Sequence, residues 1–202
     1  MRLVPVELPI SDEPIPANVA ALLAQARRRI DALEDHVSTP AFVPSDFELV
    51  YRALAQIHAK RLATGRRFIE WGSGIGAVTC LAVLAGFDAV GIEIEPELVE
   101  TAEELALETG IAAEFSCGSF VPMGAEPHVD SVSDVTWLST SGPDGYESLE
   151  LDPDDFDVVF AYPWPGEEQV ICDLFEDCAA VGSLLLTYHG QEGLRLQRKV
   201  RH

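Results

Sequence analysis

The 202 residues carry 34 Asp and Glu against 13 Lys and Arg, a net charge of −21, with 48% apolar residues and three Trp. That balance excludes a disordered chain and is large enough for one packed core. The longest apolar run, "AVTCLAVLAGF", falls short of a membrane helix, and the start "MRLVPVELPISDEP" does not read as a signal peptide. A cytoplasmic protein with no membrane partner is expected.

Residues 1–65 read as a helical extension. "PANVAALLAQARRRIDALEDHV" places Val19, Leu22, Leu23, Ala26, Ile30 and Leu33 at helical spacing, with Arg27, Arg28 and Arg29 partly on the opposite face. Pro40 and Pro44 interrupt it. Ser45 then reads as an N-cap, with Glu48 completing a capping box, for a helix through "DFELVYRALAQIHAKRLA".

From residue 66 the pattern alternates strand and helix. "RFIEW" is a short strand entering a glycine cluster, "AVTCLAVLAG" a helix stopping at Gly86, and "DAVGIEI" the next strand. Pro96 opens a helix that Gly110 ends, and "AAEFSC" is a third strand. Residues 121–155, rich in Pro, Gly, Ser and acids, are too long for an ordinary connection, and a flap or a hairpin around "VTWLS" is expected. "FDVVFAY", the helix "EEQVICDLFEDCAA" and the strand "GSLLLTYH" follow. "LRLQRKV" alternates as an antiparallel edge strand blunted by charge. Repeated strand–helix units predict an α/β fold, a Rossmann-like doubly wound and mostly parallel sheet over residues 66–202.

The cluster "IEWGSGIGA" sets Gly72, Gly74 and Gly76 at the first strand–helix turn, where ligands of such sheets bind. Amides at the helix start suit an anionic group. Glu93 ends the next strand, 21 residues after Gly72, the separation at which an acid reaches ribose hydroxyls. "GSGIGA" also fits the looser dinucleotide pattern, which would make an NAD-linked oxidoreductase. Glu70 separates the two readings. A carboxylate two residues before the first glycine suits a ligand carrying ammonium or sulfonium better than a pyrophosphate.

"EWGSGIG" resembles motif I of the class I S-adenosylmethionine (SAM) methyltransferases, and "AVGIEIEPELVETAEELA" resembles the strand and helix that follow it. The resemblance spans roughly residues 42–188 and implies SAM as cofactor. It implies that Glu70 and the glycines hold the methionine end and that Glu93 holds the ribose. Ser73, Ile94 and Tyr162 complete the cofactor set it implies. Where the family has an acid contacting adenine, "SCGSF" offers Ser119 to hydrogen bond and Phe120 to pack on the ring. Its Asn-Pro-Pro-aromatic motif is matched by "AYPWP", which keeps Pro163 and Trp164 but has Ala161 for the Asn and Tyr162 for the first proline. Tyr162 and Trp164 are then candidates for the acceptor pocket, and His189 for a base. The chain ends soon after the fifth strand, so the family's last helix and two strands are reduced to one hairpin. "FVPSDFELVYRAL" resembles a protein-lysine methyltransferase subgroup.

No Lys or Arg occurs from Phe68 to Leu194, a stretch of 127 residues holding 26 acids. Phosphate backbones are bound by Lys and Arg, so nucleic acid is disfavoured, and an amine or protein lysine is the expected acceptor. A solubility surface or salt adaptation also accounts for the charge. Cys80, Cys117, Cys172 and Cys178 lack metal-ligand spacing, and the acids of "HVDSVSD" (Asp130, Asp134) and "DPDDFD" (Asp152–Asp155) read as solvated loops, so no metal is expected. A SAM- or nucleotide-binding module without catalysis is the alternative to an enzyme.

Overall fold

A computed structural model describes residues 1–34, 43–130, 138–140 and 142–201. Pro40, Asp134 and residues 135–137 of the expected hairpin fall outside them. The elements are β1 (Arg2–Pro5), α1 (Ala17–Glu34), α2 (Phe47–Ala59), β2 (Arg67–Trp71), α3 (Ala77–Leu84), β3 (Asp88–Glu93), α4 (Pro96–Thr109), β4 (Glu114–Cys117), α5 (Glu126–Asp130), β5 (Val158–Ala161), α6 (Glu168–Cys178), β6 (Leu184–Tyr188) and β7 (Leu194–Val200).

They build one seven-stranded sheet in the order β1-β7-β6-β5-β2-β3-β4. Strands β2 to β6 pair in parallel, and β7 runs against both β6 and β1. The order reverses between β2 and β5, whose partners Trp71 and Ala161 mark the carboxyl ends of the two strands. A crevice opens at such a reversal because the connections leave to opposite faces.

Strand parity divides the core. Phe68, Ala89, Val158, Phe160 and Leu184 pack with α2 and α3, whereas Ile69, Trp71, Val90, Ile92, Val159 and Leu185 pack with α5 and α6. Both sides of each central strand are therefore apolar, as a covered parallel sheet requires. The α1 stripe Val19, Leu22, Leu23, Ala26 and Ile30 lies against Leu81 of α3 and Leu105 of α4.

The structure departs from the sequence expectations at three places. The N-terminal segment is not helical throughout: Arg2–Pro5 forms β1 beside β7. Consequently β7 is not an edge. Its basic side chains serve carbonyls instead of guarding a rim, Arg198 donating to Leu62 O at 2.7 Å and Gly182 O at 2.9 Å. Lys199, 3% exposed, donates to Ala179 O just beyond α6. The cap of α2 is Asp46 rather than Ser45, its Oδ1 accepting from Leu49 N at 3.0 Å. Glu48 turns outward to Arg52 at 2.8 Å, and no capping box forms with it.

The 121–155 stretch supplies α5, 3-10 turns at Glu147–Leu149 and Pro153–Asp155, and a bridge between Ser119 and Asp144. Asp152 and Asp155 cap one of those turns reciprocally, and His128 pairs with Asp177 at 2.7 Å.

Candidate cofactor and acceptor site

The glycine turn is shaped by backbone. Gly72, Gly74 and Gly76 adopt φ of 74°, 53° and 72°, the left-handed region that residues with a Cβ rarely enter. The amides of Gly72 and Ser73 both donate to Ile92 O at 2.9 Å, hooking the turn over the end of β3. Gly76 admits no side chain, since a Cβ would stand 2.5 Å from Phe115 Cζ and 2.7 Å from Ala102 Cβ.

Parity along β2 sends Glu70 to the α3 face with Phe68. There its Oε2 accepts from Thr79 N at 2.8 Å and Thr79 Oγ1 at 2.6 Å. Thr79 is the third residue of α3, so Glu70 acts as a remote N-cap. Burial pushes its carboxyl up to about 8, against the lowering effect of the Thr79 bonds, and Glu93 nearby adds to the rise. Gly91 makes this contact possible. A Cβ there would lie 2.7 Å from Ser73 Cβ and 2.8 Å from Thr79 Oγ1.

Glu93, 8% exposed, is fixed by three amides. Oε2 accepts from Gly74 N at 2.7 Å, while Oε1 accepts from Ile94 N at 2.8 Å and Glu95 N at 3.1 Å. One of the turn amides expected to face a ligand is thus engaged by the protein itself. A carboxylate has about four acceptor positions, which leaves one, on Oε2.

Ser119 is also occupied: its hydroxyl donates to Ser139 O at 2.8 Å and accepts from Val121 N at 3.1 Å. Phe120 stacks on Trp71 with centroids 5.4 Å apart and planes at 7°. Trp71 Nε1 donates to Tyr146 Oη at 2.8 Å, and Tyr146 Oη donates to Phe120 O at 3.1 Å, closing an aromatic wall. Tyr162 meets Tyr188 edge to face at 4.8 Å.

Glu70, Gly72, Ser73, Gly74, Glu93, Ile94, Ser119, Phe120, Tyr162 and Trp164 all line one cavity of about 880 Å³. Of the sequence-derived set, Gly76 and His189 do not line it. Gly76 sits beneath the turn against Phe115. His189 lies past the end of β6, its Nε2 bonded to Thr187 Oγ1 at 2.8 Å, with its pKa lowered by burial and then by Arg195. The cavity also takes in Trp71, Leu138, Glu167 and Ile171, which the sequence reading did not single out. An aromatic directly ahead of the glycines was the available signal for Trp71. An acid following Pro-Trp-Pro was the signal for Glu167.

No protein-family model matches this chain, and no curated protein sequence matches it. Solved structures share its fold. A methyltransferase from Geobacter sulfurreducens is 15% identical over 93% of this chain and 92% of its own, with a TM-score of 0.54. An RNA methyltransferase from Salinibacter ruber, in complex with S-adenosyl-L-homocysteine, is 21% identical over 78% and 92%, with a TM-score of 0.50. An O-methyltransferase from Bacillus cereus, in complex with the same molecule, is 14% identical over 86% and 66%, with a TM-score of 0.52. The chain has the Rossmann-like fold of the class I SAM-dependent methyltransferases.

Proposed function

We propose that this protein is a SAM-dependent methyltransferase acting on a neutral or cationic acceptor, with an amine or protein lysine ahead of nucleic acid. The observation that carries the reading is Glu93, pinned by three amides against the glycine turn inside a cavity that reaches the aromatic ends of β5.

The residues fit such a cofactor. About 880 Å³ lies within the range of small-molecule sites. A Cβ on Gly72 would meet nothing within 4 Å, so the glycine leaves open space above the backbone. SAM, when bound, supplies an already activated methyl group. Glu93 then offers the remaining position of Oε2 to a ribose hydroxyl, and Glu70, giving up its proton as a positive charge approaches, offers Oε1 to the ammonium end. Phe120 and Trp71 present an apolar wall to a flat ring. Tyr162 and Trp164 orient the acceptor and exclude water, and their rings favour a cationic centre.

Among the described residues, Glu93, Glu95, Glu97 and Glu167 line the cavity beside Glu70, whose proton is held by burial, and no Lys or Arg does, so the cavity's field draws cations inward and repels phosphate. Labelled SAM offered to RNA, DNA, basic proteins and small amines is the test, with label expected in basic protein or amine. Label in nucleic acid alone would overturn the acceptor class. SAM binding without transfer to any fraction would leave a binding module.

A further inference from the structure

Glu70 stands in the middle of the sheet, between Gly91 of β3 and Phe160 of β5, and neither neighbour carries charge. Its Oε2 accepts from both the amide and the hydroxyl of Thr79. With Oε2 used by two donors, the proton that burial keeps on the acid sits on Oε1. Oε1 is bonded to no described residue, and Glu70 lines the cavity. The resting site therefore presents a neutral acid where the glycine turn begins.

The titratable groups around it do not supply a counter-charge. Glu93, at the end of β3, raises the Glu70 carboxyl further. Cys80 of α3 is pushed up to about 12 by burial and then by Glu70, so it stays a neutral thiol. Tyr162, beyond β5, has its phenol raised by burial and is neutral as well. Glu95 and Glu97, exposed at the start of α4, and Glu167, at the start of α6, line the same cavity. α2 packs on this face through Val50, Ala53, Leu54 and Ile57.

A second observation points the same way. The hydroxyl of Ser73 is buried without a hydrogen-bond partner, and it stands with Thr79 Oγ1 over Gly91. An unused buried donor is costly in a site that never changes. It suits one in which a nearby acid acquires charge.

We infer that the site recognises the cofactor's ammonium by exchange: as the ammonium reaches Oε1, Glu70 gives up one proton to solvent and the ion pair forms. The acid loses its proton, the ammonium keeps all of its own, and no other bond changes. The inference rests on the methyltransferase reading and adds how its cofactor end selects a ligand. A nucleoside without the ammonium leaves the acid neutral.

Calorimetry of S-adenosylhomocysteine with the full-length protein at about pH 6.5, in phosphate and in imidazole, counts the protons released, because the two buffers differ in ionisation enthalpy. About one proton should leave with wild type and none with Glu70→Gln, which keeps an acceptor for Thr79. Methylthioadenosine, which has the nucleoside and the sulfur but no amino acid, should bind wild type with no release. Wild-type affinity for S-adenosylhomocysteine should rise about tenfold per pH unit between about pH 5.5 and 7, and the slope should flatten in the Gln variant. If Glu70→Gln does not fold, the methylthioadenosine comparison and the wild-type slope still decide. Equal release with methylthioadenosine, release that persists in a folded Gln variant, or a wild-type affinity flat with pH would overturn this inference alone. Failure of the wild type to bind S-adenosylhomocysteine at every pH would instead refute the methyltransferase reading.

Discussion

The two ends of the cavity are built by different means. At the β2–β3 end the chain works with backbone: three left-handed glycines, two amides on Ile92 O and three on Glu93. At the β5 end it works with side chains, Tyr162, Trp164 and Glu167, set on a short turn. Backbone geometry tolerates few substitutions, because moving one amide disturbs the others. Side-chain geometry can be retuned one residue at a time. A fixed end and an adjustable end follow from that contrast, and the proposed function gives the first to the cofactor and the second to the acceptor.

The comparison can be broken first at Gly74. Valine there must hold φ near 53° and keep its amide on Glu93. For a β-branched residue this is a genuine outlier. SAM binding in Gly74→Val should fall more than a hundredfold, more than about 2.8 kcal/mol by the tenfold-per-1.4 rule. Normal binding by the folded variant would sink the backbone-built account.

Glu93→Ala should come next. It strands three amides and removes the proposed ribose contact, so SAM should weaken at least about tenfold and stability should fall by about 1–3 kcal/mol. Chemical denaturation alongside calorimetry separates the two losses. If affinity drops while stability holds, the amides are rehydrated and Glu93 is less structural than its geometry implies.

Glu70 sharpens the contrast through pH. Its carboxyl is raised from 4.5 to about 8 by burial, so the folded protein holds a proton that the unfolded chain releases. The resulting stability is fully present below about 4.5 and is lost as pH rises through about 8. Between pH 5 and 8, wild type should lose about 2–4 kcal/mol relative to Glu70→Gln, allowing for relaxation around the charge. Parallel pH–stability curves would show that the group ionises at its ordinary value.

The smallest effect on the cofactor should come from the adjustable end. Trp164→Ala should reduce turnover about tenfold and leave SAM affinity within about twofold, since the proposed function puts the indole on the acceptor side. A matching loss of SAM affinity would place Trp164 against the cofactor instead.

The same division governs what could be read from the sequence. The glycine turn was legible because only a special backbone explains three glycines after a strand. Glu70 and Glu93 were legible through their register with it. Helix stops at Gly110 and starts at Pro96 were local chemistry and stand as expected. Glu167 was not legible, because its burial depends on how α6 docks, which no local pattern encodes. Nor was the stacking of Trp71 on Phe120, 49 positions apart in sequence. Strand β1 was hidden for a related reason. Four residues ending in proline carry little strand signal, and their partner lies at the other end of the sequence. His189 shows the converse hazard: a residue placed at a strand end by sequence can still turn away from the crevice.

The pairing of Arg2 with Val200 has a consequence for how the molecule is made. Of the seven strands of the sheet, β1 is made before the other six, and its one neighbour, β7, is made after them. Equilibrium hardly notices so long a loop, since each doubling of length adds only about 0.6 kcal/mol of closure entropy. Kinetics does notice, because non-local pairing slows folding. Until β7 is made, residues 2–5 lack their partner strand, and the Pro and charged side chains among "RLVPVELP" oppose adhesion to other chains in the meantime.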